Sequence, residues 1–138
     1  MSWTKEWKKV VFSDAKRFNL DGPDGYRYYW HDLRKNELVL SKRQMGGGSI
    51  MFWGAVGWKG KSNIILCPNK LDQKSYKDIL RDQIIGKGKD LAGHGWIFQH
   101  DNASVHKANS ITKYFYTNKR QVLDWPSLSP DLNIIENI

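Results

Sequence analysis

Internal disulfides are excluded, because Cys67 is the only cysteine among the 138 residues. A cysteine zinc centre is excluded with them, and His94, His100 and His106 lack the spacing of a histidine zinc site. A reducing compartment fits. Long apolar runs are scarce as well. The longest, Ile50 to Val56, is interrupted by Gly54 and is far too short to span a bilayer. The opening Met-Ser-Trp-Thr-Lys-Glu holds no apolar core of a secretory signal. A soluble, intracellular protein is the expectation. No internal repeat, low-complexity tract or heptad pattern is present, which sets aside solenoids and coiled coils.

Acidic residues are few beside basic ones, 14 against 22, giving a formal net charge of +8 and a pI near 9.6. That balance favours a polyanionic partner, and basic residues lying near aromatics favour nucleic acid. A generic basic protein carries the same charge. Hydrophobic residues make up 40% and aromatics 13%, with seven tryptophans. This is a globular composition, and the length suits one domain with a core that needs no staples.

Val10-Val11-Phe12 reads as a buried strand that ends in Ser13-Asp14, with the acid at its carboxyl end. Asp21-Gly22-Pro23-Asp24-Gly25 is a turn cluster, and Tyr26 to Gly48 reads as an excursion from the core. Ile50 to Val56 is a central strand, and Asn63 to Cys67 returns as its hairpin partner. Leu71 to Ile85 shows apolar residues at Leu71, Tyr76, Ile79, Leu80 and Ile84, near helical spacing, with Asp72 as cap. Gly86 to Gly95 reads as a loop. Trp96 to Asp101 is a second strand ending in an acid, and Val105, Ala108, Ile111 and Phe115 mark a helix face. Val122-Leu123 is a short strand, and Trp125 to Pro130 a rigid loop. A last helix opens at Ser129-Pro130-Asp131, where Leu132 and Glu136, four apart, share a face. The order predicts an α/β mixed sheet with helices on its faces. The chain stops two residues after Glu136, inside that helix, and so reads as a fragment.

Asp14, Asp101 and Glu136 are the candidate site residues, with thirty-four residues between the last two. Three converging carboxylates can hold two divalent metals, and such a pair can cut and rejoin phosphodiester bonds. Convergence requires that the strands carrying Asp14 and Asp101 be neighbours. Each acid also has an ordinary reading. Asp14 suits a turn, Asp101-Asn102 can cap the following helix, and Glu136 can be solvated. His106, five residues after Asp101, suits either an orienting role toward Asp101, a phosphate contact, or packing at a helix start; His100 is a similar case. Asn102 suits holding the loop of the second acid. Trp125 and Pro126 suit bracing the loop before the last helix. Lys107, Lys113, Lys119 and Arg120 suit either a phosphate track or a solvated face.

The segments Val11 to Gly25, Gln99 to His106 and Trp125 to Asn137, in that order, resemble the catalytic domain of mariner/Tc-type transposases, Tc branch. Gly47 to Gly54 is similar to that branch's glycine-rich entry to a core strand, and the resemblance runs from about Trp7 to Asn137. It implies a ribonuclease-H-like fold in a single catalytic domain spanning 1–138, truncated in the last helix. The family's amino-terminal DNA-reading region and its carboxyl-terminal remainder would both lie outside this chain. It implies that Asp14, Asp101 and Glu136 are the catalytic, metal-binding acids, with Asn102 and His106 in support. The implied activity is cut-and-paste transposition of double-stranded DNA in the nucleus. Both strands are cut at the element ends, and the 3′-hydroxyls are joined to Thr-Ala target dinucleotides. The implied cofactor is Mg2+, with Mn2+ able to substitute. The Tyr26 to Gly48 excursion falls where related transposases carry a loop that reaches the partner subunit, which implies a homodimer. Ala15 stands where the family has Glu, His100 where it has Gln, and Ile134 where it has Pro; none of these removes a catalytic acid. An inactive remnant that binds DNA non-specifically, and a nuclease acting on RNA–DNA hybrids, are the competing expectations.

Overall fold

The computed structural model describes residues 5–20, 34, 47–68, 70–126 and 129–137. The turn cluster at 21–25 and nearly all of the 26–48 excursion lie outside the described residues.

Among the described residues, six strands form one mixed sheet. They are β1 (Val10–Asn19), β2 (Ser49–Gly57), β3 (Gly60–Lys61), β4 (Ile65–Cys67), β5 (Ile97–Gln99) and β6 (Gln121–Val122). Their order is β3-β2-β1-β5-β6, with β4 also paired to β2. β1 and β2 are antiparallel, whereas β1, β5 and β6 run parallel. Three α-helices intervene: α1 (Gln73–Leu80), α2 (Gly88–Ala92) and α3 (Asn109–Thr117).

Side chains alternate across the sheet, so Val11 on β1, Trp53 and Ala55 on β2 and Phe98 on β5 share one face. That face packs on Tyr76, Ile79 and Leu80 of α1, Leu91 and Ala92 of α2, and Ile111 and Phe115 of α3. The opposite face presents Val10 and Phe12, whose ring stacks on Trp7 at 6.1 Å and meets Trp125 edge-on at 6.3 Å. Short 3-10 turns, Glu6–Lys9 and Pro130–Leu132, supply residues to this side around an apolar groove of about 640 Å³. Because both faces are covered, Val10-Val11-Phe12 is an unbroken apolar run rather than an alternating one.

Most sequence expectations for the elements hold. β2 lies inside the sheet, β4 returns beside it, and Asp72 caps α1 by accepting from Ser75 N at 2.7 Å. Three differ. First, β1 does not stop at Asp14. It continues to Asn19 because Ala15–Asn19 pair with β2 as an arm whose side chains are exposed from Lys16 on, closed by Leu20 N donating to Gly48 O at 3.0 Å. Second, the expected 86–95 loop contains α2. Its Gly88 lies flat under Trp96, where an added Cβ would sit 2.3 Å from the indole. Third, the expected last α-helix is two 3-10 turns, Pro130–Leu132 and Ile134–Asn137, parted by buried Asn133. The Asn133 amide donates to Ser13 O at 3.3 Å and its oxygen accepts from Ile135 N at 3.4 Å, so this side chain competes with helical continuation. The four-residue spacing of Leu132 and Glu136 therefore no longer defines a common face.

Gly57 gives the fold a direct test. A Cβ there would lie 2.4 Å from the Leu91 carbonyl oxygen and 2.8 Å from its carbon, both backbone atoms that cannot swing aside. Gly57→Ala should cost about 2–3 kcal/mol through the forced separation of β2 and α2. A lowered urea midpoint with unchanged slope checks it, and an unchanged midpoint contradicts this packing.

Candidate active site

The parallel pairing of β1 with β5 brings two of the predicted acids together. Its last register pair is Phe12 with Gln99. Asp14 and Asp101 each lie two residues further along chains that run in the same direction. Ser13 locks this point, its hydroxyl donating to Gln99 O at 2.9 Å and its N–H to Gln99 Oε1 at 3.4 Å. The neighbour condition set by the sequence is met, but neither acid ends a strand as expected: Asp14 lies inside β1, and β5 stops at Gln99, two residues before Asp101.

The two carboxyls differ in environment. Burial raises the Asp14 pKa above its ordinary value; a backbone N–H from Ala15 opposes this, and the charge of Asp101 adds to it. Asp101 is lowered, first by its hydrogen bond to His106 and against partial burial. Its Oδ1 accepts from His106 Nδ1 at 2.5 Å and from Ala103 N at 3.0 Å. His106 is buried under Tyr76 and His100, while the Asp101 side chain remains 56% exposed. Of its sequence readings, His106 shows both the contact with Asp101 and packing against neighbouring rings. Asn102 takes the expected loop-holding position, its amide donating to Trp125 O at 2.8 Å.

Glu136 is exposed on the Ile134–Asn137 turn. That turn is fastened to β1 by the Asn133 bond to Ser13. Ile135 covers Gly54, the register partner of Asp14, at 3.8 Å from where its Cβ would be. The segment of the third acid therefore lies on the strands that carry the first. Among the described residues, however, no three His, Cys, Asp or Glu side chains form one metal-ligand set. A divalent ion suits the donor chemistry at Asp14 and Asp101. Both offer hard carboxylate oxygens, and their mutual repulsion is what a bound cation relieves.

A cleft of about 420 Å³ opens beside Asp101, with Lys107 and Arg120 among its rim and Ile111 and Phe115 in its lining. Trp125 lines it too, besides bracing the loop as expected. Arg120 also lies over the Trp96 ring at 5.0 Å. Lys113 and Lys119 are exposed on and just beyond α3. Sequence reasoning passed over three contributors: Tyr76, Asn133 and Ser13. Tyr76 was read only as an apolar helix position, although a buried tyrosine needs a partner for its hydroxyl, a signal that pointed to a polar neighbour.

A mixed sheet of this order, with β1 antiparallel to β2 and parallel to β5, has a ribonuclease-H-like architecture. Residues 9–138 match the family described as DDE superfamily endonuclease, and the chain belongs to that family. The Tc3 transposase of Caenorhabditis elegans is 48% identical over 132 residues, covering 96% of this chain and 40% of that protein. The Tcb2 transposase of Caenorhabditis briggsae is 32% identical, covering 97% of this chain and 50% of that protein. The chain thus spans half or less of these relatives' length. Among solved structures, the Mos1 transposase paired-end complex with left transposon end superimposes with a TM-score of 0.78 at 20% identity. It covers 95% of this chain and 39% of that one. Mos1 structures with Mg and with Mn are also among the similar folds.

Proposed function

We propose that residues 1–138 are a single catalytic domain of a cut-and-paste DNA transposase, with Asp14, Asp101 and Glu136 as its metal-binding acids. The observation that carries this reading is the placement of Asp14 and Asp101, each two residues beyond the last parallel pair of β1 and β5. Family membership and 48% identity to a transposase support it. Mg2+, with Mn2+ able to substitute, is the proposed cofactor. When bound, a metal pair supplies a lowered pKa at the attacking water or 3′-hydroxyl and charge stabilisation at the leaving oxygen.

The chain's own residues do the rest. His106 holds Asp101 Oδ1, which fixes the direction of the carboxylate, and Asn102 holds the loop against Trp125. The Asn133 anchor keeps the Glu136 turn on β1. Lys107 and Arg120, at the rim of the cleft, face the DNA backbone as cations, and the net charge of +8 adds long-range attraction. Double-stranded DNA, as element ends and target, is the proposed partner; a homodimer is the proposed assembly and the nucleus the site of action. Among the described residues no helix is long and apolar enough to cross a membrane.

A second reading, an inactive remnant that binds DNA by charge, is favoured by one observation: Glu136 does not join Asp14 and Asp101 in one ligand set. Nicking of supercoiled plasmid in Mn2+ separates the two. The parent chain should nick and Asp101→Asn should not. Equal nicking by both removes Asp101 from the chemistry. Salt-sensitive DNA binding by both, with nicking by neither, establishes the remnant.

A further inference from the structure

A fully buried polar side chain behind the site belongs to a helix. Tyr76, on α1, is fully buried, and its hydroxyl lies 2.9 Å from His100 Nδ1. Its ring also stacks on His106, with centroids 4.2 Å apart and planes inclined by 29°. His100 lies almost parallel to His106, 5° between planes at 4.9 Å. The His106 imidazole is therefore held by two rings that are themselves joined by a hydrogen bond. Its Nδ1 meets Asp101 Oδ1.

We propose that Tyr76 is a positioning residue for the metal-binding acid Asp101, acting through His100 and the stacked His106. This rests on the reading of Asp101 as a metal ligand and extends that site inward to helix α1. Packing alone accounts for a phenylalanine at position 76. It does not account for a hydroxyl placed on the one nitrogen of His100 that faces it. Donation from the hydroxyl to His100 Nδ1 leaves the ring proton on Nε2, which fixes both the tautomer and the plane of the imidazole. A fixed His100 plane gives His106 a fixed ring to rest against beside that of Tyr76, the three centroids lying 4.2, 4.9 and 6.1 Å apart. A fixed His106 in turn gives Asp101 one carboxylate direction. Without the hydroxyl, His100 Nδ1 loses its donor and the ring is free to exchange tautomers. His106 then loses one wall, and Asp101 samples directions in which its oxygens do not converge with Asp14. Carboxylates that ligate metals are themselves held by hydrogen bonds from behind, and His106 occupies that place behind Asp101.

Several neighbours could oppose this role and do not. Phe98 and Phe115 meet His100 edge-on at 5.4 and 5.9 Å, apolar walls that seat the ring but offer its nitrogens no hydrogen-bond partner to select a tautomer. Burial keeps the Tyr76 hydroxyl protonated, so it remains a donor.

The test compares the parent, Tyr76→Phe and, as a tyrosine outside the relay, Tyr114→Phe. Imidazole 15N spectra report the His100 tautomer, and Mn2+ titration is followed by paramagnetic broadening of the His106 signals. The parent should show one His100 tautomer. Tyr76→Phe should show a tautomer mixture and need roughly tenfold more Mn2+ for the same broadening, the lower end of the about 10- to 100-fold typical of partners behind metal ligands. Tyr114→Phe should match the parent. A thermal shift in Tyr76→Phe with an unchanged Mn2+ midpoint overturns the proposal and leaves Tyr76 a packing residue. A parent whose His106 signals do not respond to Mn2+ overturns instead the reading of Asp101 as a ligand, and the positioning role with it.

Discussion

Asp14→Asn should stabilise the metal-free protein at neutral pH while lowering DNA nicking by at least about a thousandfold. The two effects share a cause. Asp14 is half-buried, and its pKa is raised by desolvation and by the charge of Asp101. A carboxyl whose folded pKa exceeds its unfolded value binds its proton more tightly when folded. Its contribution is therefore greatest at low pH, and stability falls as pH rises from about 3.8 through the raised folded value. Above that window the folded protein carries an unfavourable charge, and asparagine removes it. The activity loss follows from the same removal. A metal ligand supplies several kcal/mol of transition-state stabilisation, and about 4 kcal/mol is about a thousandfold in rate.

Asp101→Asn should behave oppositely in stability. Its folded pKa is lowered, chiefly by His106, so its contribution is present above the unfolded value and is lost as pH falls through the folded one. Thermal scans in chelator at pH 7 should therefore rise for Asp14→Asn and fall for Asp101→Asn, though neither variant nicks. A fall for both would show that Asp14 is held by favourable contacts, and its place as an uncompensated site charge would be lost.

Part of this site was legible because its signals are local. Val10-Val11-Phe12 and Trp96-Ile97-Phe98 announce strands, and each is followed within two or three residues by an acid. Only the pairing in space was missing, and the parallel β1–β5 register supplies it. What was not legible depends on contacts distant in sequence. Asn133 breaks the last helix by bonding to Ser13, 120 positions away. Gly88 reads as a loop glycine until Trp96 is seen on top of it. Tyr76 satisfies a helical period so well that its hydroxyl drew no notice, although His100, 24 positions on, completes it. Strong local periodicity fixes which face a residue joins, but not which polar atom waits there.

Phe98→Ala should cause the largest loss of stability, about 3–5 kcal/mol. Phe98 is wholly buried at the middle of β5, between Val11 on β1 and Val122 on β6. Its ring stacks on Phe115 of α3 at 5.2 Å and meets His100 at 5.4 Å, and its carbonyl accepts from Leu123 N at 2.7 Å. Truncation therefore opens a cavity where sheet and helix meet and removes one side of the His100 seat. A domain of this size holds roughly 5–15 kcal/mol in all, so the variant should be unfolded or nearly so at 37 °C. Phe98→Leu fills most of the volume and should cost only about 1.5 kcal/mol, with the aromatic contacts gone. Urea unfolding of the two variants separates volume from ring chemistry. A small loss for leucine with a large one for alanine shows that packing beneath Asp101 dominates. Equal large losses would instead mean that the Phe98–Phe115–His100 ring contacts hold β5, and the segment after it that bears Asp101, in register.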